Sequence, residues 1–485
     1  MANIITDTLS FDDILINPRL SNIESRKDIS LKTQLTNNIS LYLPLISSPM
    51  DTVTEDKMAI EIALNGGLGI IHRYNTIEQQ VHMVKQVKRY LTYINENPYT
   101  ILETDTINIL LQKIEQHKVY SFLVTNTSNE LLGIVTKRDL NAHIIKNDDN
   151  TNNIKSIMTD VSKMKVLETS DSFTREDIIN YMIKYRLEKL PIVEKKIIKG
   201  LIIFTNLMKY EMNKNKYSLD ENNKLLVGGA IGIVDDYLDR ANALINAGCN
   251  ILCIDIANGY NEKVGKIIKE IKSISNNISI MAGNVCNADG FEFLCKAGAD
   301  CVRVGIGNGS ICSTRLVTGI GSGQFTALQE CREIARKYNV GMISDGGHLG
   351  KDGNIAKAFV IGSNAMMLGK TLAATDETPG RIINRNNKRV KYYRGMASAM
   401  AMVSKAELSN KEYNDIQNPE GVDMEIEIKG PVKNILKRIE SSIKSTMSYI
   451  GCKNTNELRN IENEIIYLKQ SSGVMTETSI RGKII

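Results

Sequence analysis

Eight short apolar runs, each closed by a glycine or a polar residue, constrain this chain more than any other feature. They span 43–50, 67–72, 225–231, 251–256, 278–285, 301–307, 341–347 and 365–370. None alternates strictly between apolar and polar residues, so each is expected to be a strand buried on both faces, as in parallel sheets. Helical patterns fall between them: one opened by Asp51 and Thr54 and running to Leu64, then 77–90, 235–247, 261–274, 288–297, 324–338 and 352–361. Eight βα units predict an α/β fold of the TIM (β/α)8 barrel type, in which chemistry sits at the C-terminal ends of the strands. Those ends carry Ser48 and Met50, His72, Asp255, Asn284, the loop around Cys312, Asp345-Gly-Gly347 and Gly369.

The alternation breaks from about 94 to 214, and an internal repeat fills the gap. Its first copy, about 94–147, holds Phe122-Leu-Val-Thr and then Leu132-Gly-Ile-Val-Thr-Lys-Arg-Asp-Leu140. Its second, about 154–212, holds Leu190-Pro-Ile-Val and then Lys199-Gly-Leu-Ile-Ile-Phe-Thr-Asn-Leu207. Each copy pairs a helix with a small hairpin, and one copy alone could not bury its apolar face. At 485 residues the chain is long for one compact unit. The expected organisation is a barrel split into 1–93 and 215–485, with the repeat inserted between. The second part would carry a polar, mobile flap over about 397–429, an amphipathic helix over 431–449 and a tail without periodicity from about 470.

Charge and composition exclude several classes. A net charge of +5 spread over this length, with no dense Lys/Arg block, gives no nucleic-acid footprint. No apolar run reaches membrane-spanning length, and the first residues, Met-Ala-Asn-Ile-Ile-Thr-Asp, do not resemble a secretory signal. The eight cysteines form no Cys-x-x-Cys pair and the five histidines are scattered. Zinc and disulfides are therefore not expected, and a reducing, cytoplasmic setting is.

The stretch Arg303-Val-Gly-Ile-Gly-Asn-Gly-Ser-Ile-Cys-Ser-Thr-Arg315 is where chemistry concentrates. Bare amides of a glycine-rich turn form an anion-binding concavity and favour a thiolate. Cys312 reads as a nucleophile beside a phosphate site, with the hydroxyl of Thr314 two residues on. Alone it would read as a small, half-buried turn residue. Two further glycine-bearing strand ends weigh against that. Asp345-Gly346-Gly347 offers a carboxylate for ribose and then bare backbone, and Gly369-Lys370 ends the last strand. Loops after strands seven and eight are where such barrels bind phosphate, and Ser310 adds a donor. In the flap, Glu420 between Pro419 and Gly421 is the acid of interest.

These motifs bring a known family into view. Ser47-Ser-Pro-Met-Asp-Thr-Val-Thr-Glu55, Gly283-Asn-Val, Gly305 to Arg315, Ser344-Asp-Gly-Gly347 and Arg394-Gly-Met396 resemble the IMP dehydrogenase/GMP reductase family over nearly the whole chain. The inserted repeat resembles a tandem pair of cystathionine-β-synthase-type (CBS) domains, which bind purine nucleotides in many proteins. There, a Thr and an Asp three apart hold a ribose. Thr136 and Asp139 match in the first copy, while Ile203 and Asn206 stand at those places in the second.

The resemblance implies a homotetramer or octamer, and a cysteine that attacks C2 of a purine nucleotide to form a thioimidate during hydride exchange with a nicotinamide. Cys312 would be the nucleophile, with Thr314 and Glu420 as acid/base partners. Ser310, Gly347, Gly369 and Tyr393 would hold phosphate and Asp345 the ribose, with Ser48, Gly346 and Lys370 also binding the substrate. Met50, Gly395, Met396 and Ala397 would meet the rest of the nucleotide. Asp255, Asn284 and Arg303 would lie near the nicotinamide or the base, and Ala257 and Gly305 would join them in binding the cofactor. The carbonyls of Gly307, Gly309 and Cys312 match the family's loop for a monovalent cation, potassium being expected.

Direction of reaction is the open question at this level. Dehydrogenases of the family hydrolyse the intermediate with a flap Arg-Tyr pair, but this chain has no Arg between Met402 and Glu420. Lys411-Glu-Tyr413 is the nearest substitute. Reductases instead expel ammonia with a Thr-Glu pair and then take hydride from NADPH. Asp255-Ile-Ala-Asn-Gly-Tyr260 and Thr318-Gly-Ile-Gly321 lean the same way, whereas Ser47–Glu55 and the CBS insertion lean toward an NAD-dependent dehydrogenase acting on IMP. The expectation is an NADPH-dependent GMP reductase. A nucleotide-sensing protein with an inert barrel is the alternative from another class, and the intact Cys312, Thr314 and Asp345 speak against it.

Overall fold

The computed structural model describes residues 7–91, 93–117, 119–145, 152–233, 236–408, 419–472 and 474. They divide into two compact units, Met1–Tyr90 with Lys216–Ile485, and Leu91–Asn215.

The first unit is built on a closed parallel barrel of eight strands paired in chain order. They are β1 (Leu45–Ser47), β2 (Leu68–Ile71), β3 (Val227–Ile231), β4 (Ile251–Ile254), β5 (Ser279–Val285), β6 (Cys301–Val304), β7 (Gly341–Asp345) and β8 (Ala365–Leu368), with β8 returning to pair with β1. Ile46, Ile70, Ile251, Met281, Ile343 and Met367 are fully buried in a common core, which is why the runs lack polar alternation. Most strands are shorter than their apolar runs. The run 301–307, for example, stops pairing at Val304. Gly305 then takes φ +144° and brings its Cα so near β7 that a Cβ would strike the Asp345 carbonyl oxygen.

Seven helices follow the strands: α1 (Asp56–Leu64), α2 (Ile77–Arg89), α3 (Tyr237–Asn246), α4 (Glu262–Ile274), α5 (Ala288–Ala297), α6 (Gln324–Tyr338) and α7 (Asp352–Val360). The helix expected from Asp51 begins instead at Asp56. Residues 50–54 are a turn in which Val53 and Thr54 amides donate to the Met50 carbonyl and Thr54 Oγ1 donates to the Ser48 carbonyl. α8 (Val432–Ile450) buries the stripe Ile435, Leu436, Ile439, Ile443, Met447 and Ile450, and packs on α7 and α1.

Three pieces go beyond the sequence expectation. A hairpin of Thr33–Thr36 and Ile39–Leu41 places Leu35, Ile39 and Leu41 in the barrel core. It closes the end where strands begin, for a Cβ on Gly341 would strike the Leu35 carbonyl oxygen. The segment Ile14–Ile16 pairs antiparallel with Tyr467–Lys469, so the residues just before 470 belong to the fold. The flap expected to be mobile over 397–429 has ordered ends. Ala399–Leu408 is helical, and Asp423–Glu427 forms a sheet with Lys388–Arg394 and Ile383–Arg385. Met424 and Ile426 alternate with glutamates there, the period-two signature of a strand. Residues 409–418, with Lys411-Glu-Tyr413, lie outside the described residues, as does the chain beyond 474.

In the second unit each repeat copy is strand, helix, hairpin, helix, one strand and one helix more than expected. The first copy's sheet joins Thr100–Leu102, Ser121–Thr125 and Leu131–Thr136; the second's joins Leu167–Glu168, Lys189–Glu194 and Ile197–Ile203. Each sheet borrows its fourth strand from outside its copy. Ile94–Asn95 joins the second sheet and Thr159–Asp160 the first. Leu123, Leu131 and Ile134 of one copy share a core with Val193 and Leu201 of the other, and Lys189 Nζ donates to Ser121 Oγ at 2.7 Å. Neither copy buries its apolar face alone.

Candidate active site

A cavity of about 830 Å³ opens at the C-terminal ends of the barrel strands. Every barrel residue singled out from the sequence except His72 lines it. Ser48 and Met50 come from the turn after β1, Asp255 and Ala257 from beyond β4, and Asn284 and Arg303 from β5 and β6. Gly305, Gly307, Gly309, Ser310, Cys312 and Thr314 belong to the loop after β6. Asp345, Gly346 and Gly347 end β7, Gly369 and Lys370 follow β8, and Tyr393, Gly395, Met396, Ala397 and Glu420 come from the flap region. His72 lies elsewhere. It is buried, and its Nδ1 accepts from the Tyr74 amide.

Cys312 starts a relay. Its Sγ lies 3.1 Å from Thr314 Oγ1, and Thr314 Oγ1 donates to Glu420 Oε2 at 2.7 Å. Backbone bonds hold Glu420 against this loop. The Ser313 amide donates to the Glu420 carbonyl at 2.9 Å, the Glu420 amide to Ala397 at 3.0 Å, and the Val422 amide to Ile311 at 3.0 Å. Tyr74 Oη donates to the Met396 carbonyl at 2.7 Å and ties that segment to the loop after β2. Burial raises the pKa of several other thiols of the chain. It pushes Cys249 up to about 11 and Cys253 and Cys295 up to about 12. Only Cys286 and Cys312 are not fully buried, and Cys286 does not reach the cavity.

Behind the relay is a charged lattice. Arg303 is 6 % exposed, and its Nη2 and Nε donate to Asp345 Oδ2 at 2.9 and 3.2 Å while Nη1 donates to Asp255 Oδ1 at 2.9 Å. Burial alone would lower its pKa, but Cys253, Asp345 and Asp255 outweigh burial and hold it well above the usual value. Asn284 Nδ2 adds a 2.8 Å bond to the same Asp345 oxygen. Among the described residues no protein donor reaches Asp345 Oδ1, which leaves that oxygen for a ligand hydroxyl. Arg303 was expected toward a cofactor. The structure instead commits its fork to two carboxylates, so it orients Asp345 and Asp255.

Two glycine turns also line the cavity. Gly346 and Gly347 both take positive φ, and a Cβ on Gly347 would meet Gln324 Cβ at 2.8 Å. The Gly347 amide, expected to face phosphate, donates instead to the Asn308 carbonyl at 3.0 Å, fastening the Cys312 loop to the β7 turn. Gln324 strengthens the joint: its Nε2 donates to the Val304 carbonyl and to Ser344 Oγ, and its Oε1 accepts from Asn308. Tyr393 is buried beside Met50, and burial raises its phenol pKa. Gln324, Asn308, Tyr74, His348, Lys429 and Arg438 also build this site, and the sequence reading passed over all of them. Asn308 lies within the glycine-rich stretch and His348 next to Gly347, but neither was given a role; the others lie outside any such motif.

Comparison with known proteins gives this geometry its place. A family model described as the IMP dehydrogenase/GMP reductase domain matches residues 8–480. The chain belongs to the IMP dehydrogenase/GMP reductase family. Its relatives carry both names. It is 38% identical over 449 residues to the inosine-5'-monophosphate dehydrogenase of Nitrosopumilus maritimus, covering 91% of this chain and 92% of that protein. It is 36% identical over 486 residues to the GMP reductase of Leishmania donovani, covering 98% and 96%. A cysteine-to-alanine variant of Trypanosoma brucei GMP reductase, solved with guanosine 5'-monophosphate, superposes with a TM-score of 0.90 at 36% identity, covering 99% of this chain and 98% of that one. Members of the IMP dehydrogenase/GMP reductase family are oxidoreductases that act on purine nucleotides with NAD(P).

The residues present fit such a coenzyme. Asn284 Oδ1 is buried without a hydrogen-bond partner on the cavity wall, an acceptor for an amide N–H of the nicotinamide kind. Of the three carbonyls expected to bind a monovalent cation, Gly307, Gly309 and Cys312, that of Gly309 already accepts from the Cys312 amide at 3.1 Å. Among the described residues no cluster of His, Cys, Asp and Glu is arranged to hold a metal. No helix among them is long and apolar enough to cross a membrane.

Proposed function

We propose that this protein is a GMP reductase, converting GMP to IMP and ammonia with NADPH. The observation that carries the reading is the 2.7 Å bond from Thr314 to Glu420, continuous with Cys312. Purine C2 is a poor electrophile, and attack by the Cys312 thiolate divides a hard substitution into two easier steps. Ammonia leaves only when protonated, and Glu420 through Thr314 is the proton source in reach of that carbon. Loss of ammonia yields the thioimidate on Cys312. The coenzyme supplies a hydride to its C2, and return of the electron pair to sulfur frees IMP. Asp345 holds the ribose through Oδ1, and the cradle of Ser310, Gly346, Gly369 and Tyr393 holds the phosphate. The flap base, packed on the Cys312 loop, keeps water from the intermediate. In the same reading, potassium sits at the carbonyl loop, the chain works as a homotetramer or octamer, and the setting is cytoplasmic.

The deciding experiment follows absorbance at 340 nm. GMP-dependent consumption of NADPH, with IMP and ammonia as products, is expected. Formation of NADH from IMP and NAD, with no NADPH consumed on GMP, would make the protein an IMP dehydrogenase with an unusual flap. Lack of turnover in both would favour the nucleotide-sensing alternative.

Residues 91–215 are read as a tandem CBS module. A relative, Trypanosoma brucei GMP reductase, has been solved with guanosine 5'-triphosphate, which supports a purine nucleotide as the regulator here. Thr136 and Asp139 carry the proposed site. They bond to each other, Thr136 Oγ1 donating to Asp139 Oδ2 at 2.6 Å and the Thr136 amide at 2.8 Å, as a helix cap would. Deleting 91–215 and rejoining Tyr90 to Lys216 should preserve turnover and abolish any response to GTP or ATP. The excision leaves the barrel its own tie across the gap, since Lys88 Nζ donates to Asp220 Oδ2 at 2.8 Å and to the Leu225 carbonyl at 2.9 Å. A soluble, folded deletion variant without activity would refute this separation.

A further inference from the structure

His348 and Thr371 stand one residue beyond the two glycine turns of the cradle. His348 follows Gly347 after β7, and Thr371 follows Gly369-Lys370 after β8. Both line the cavity and both are buried, 6 % and 8 % exposed. His348 Nε2 lies 2.6 Å from Thr371 Oγ1, while His348 Nδ1 is buried without a partner.

That asymmetry fixes which atom donates. A neutral imidazole has one N–H and one bare nitrogen. A hydrogen on Nδ1 would leave a buried donor orphaned, a rarer and worse defect than an unfilled acceptor. The hydrogen therefore sits on Nε2 and points at Thr371, whose oxygen accepts it. The Thr371 hydroxyl hydrogen then has no protein acceptor among the described residues. Its backbone is held from the other side, with Lys429 Nζ donating to the carbonyls of Lys370 at 2.6 Å and Thr371 at 3.2 Å.

We propose that Thr371 is a ligand-binding residue that donates its hydroxyl hydrogen to a phosphate oxygen of the bound nucleotide, and that His348 is the positioning residue that aims it. The inference rests on reading this cavity as a nucleoside-monophosphate site. The charged surroundings favour an anion there. Burial, and then Lys370 and Arg438, push the Lys429 ammonium down to about 8, a cation short of counter-charge. Around His348 the charged groups are Asp345 on its own loop, Asp352 of α7 paired with Arg438 of α8, Lys351 paired with Asp12, and Lys370 and Lys429 on the Thr371 side. Burial dominates them and lowers the His348 pKa to about 4 against the pull of Asp345 and Asp352, so the ring stays neutral near pH 7 and the donor direction holds.

The test compares GMP with guanosine on the full-length protein, by equilibrium titration and by steady-state kinetics. Thr371→Val should weaken GMP binding about tenfold or more, the loss expected for a hydrogen bond to a charged oxygen, with the effect falling on KM rather than kcat. Guanosine affinity should not change. Thr371→Ser should bind GMP like wild type. His348→Leu should reproduce the Thr371→Val loss, His348→Gln should restore most of it through its own N–H, and the double variant Thr371→Val/His348→Leu should be no worse than Thr371→Val. Equal weakening of GMP and guanosine, additive losses, or unchanged GMP affinity in Thr371→Val would each overturn the proposal. If wild type binds guanosine and GMP equally, or neither, the monophosphate reading itself falls. Should His348→Leu fail to fold, the Thr371→Ser, Thr371→Val and His348→Gln variants still decide.

Discussion

Cys312→Ala should reduce turnover by about 10⁴-fold or more, as removal of a covalent nucleophile does, while GMP still binds. The separation of the two effects follows from the geometry. The groups proposed to face ribose and phosphate come from the ends of β7 and β8, from Tyr393 and from Ser310, and among the described residues the Cys312 thiol hydrogen-bonds to none of them, its partner being Thr314 Oγ1 at 3.1 Å. The loop itself is held by backbone bonds from Val422 to Ile311, from Ser313 to Glu420, and from Gly347 to Asn308, all of which survive truncation of the thiol. The measurement is a steady-state assay alongside equilibrium titration with GMP. Retention of a tenth of wild-type activity would rule out covalent catalysis at this residue. Cys286→Ala is the control, since that thiol does not reach the cavity.

The barrel could be read from sequence because burial on both faces leaves its strands as unbroken apolar runs, and because glycines punctuate their ends. The ends were overrun for the same reason. Nothing in Val302-Arg303-Val304-Gly305-Ile306 tells where pairing stops, and only the close approach of Gly305 to the Asp345 carbonyl decides it. Cys312 and the two glycine turns were legible because their chemistry is local. The lattice that orients Asp345 was not, for it joins Asn284 and Arg303 of β5 and β6 with Asp255 just beyond β4, which closure of the barrel alone brings together. His348 and Thr371, 23 residues apart, escape sequence reading in the same way. The hairpin over 33–41 did carry a signal in Asn37-Asn38, and the strand over 423–427 carried one in its alternation; both were masked by short length and high polarity.

Glu420 lies 106 residues from Thr314 in the chain, and its role yields the second large effect. Glu420→Gln should slow GMP turnover by about 10²–10⁴-fold, the range for loss of a positioned general acid or base. Glutamine keeps the shape and an oxygen able to accept from Thr314 Oγ1, and the backbone bonds of residue 420 to Ser313 and Ala397 are untouched, so the flap base should stay docked. What disappears is the capacity to deliver a proton to departing ammonia. The hydride half of the reaction needs no such proton. Mixing the variant with IMP and NADP should therefore still form NADPH in an amount comparable to the enzyme, as hydride leaves C2 and the thioimidate accumulates on Cys312. A variant that has lost that burst in the same proportion as GMP turnover would assign Glu420 to holding the loop rather than moving a proton. A variant that turns GMP over at the wild-type rate would remove the Thr314–Glu420 pair from the mechanism, and with it the observation on which the direction of the reaction rests.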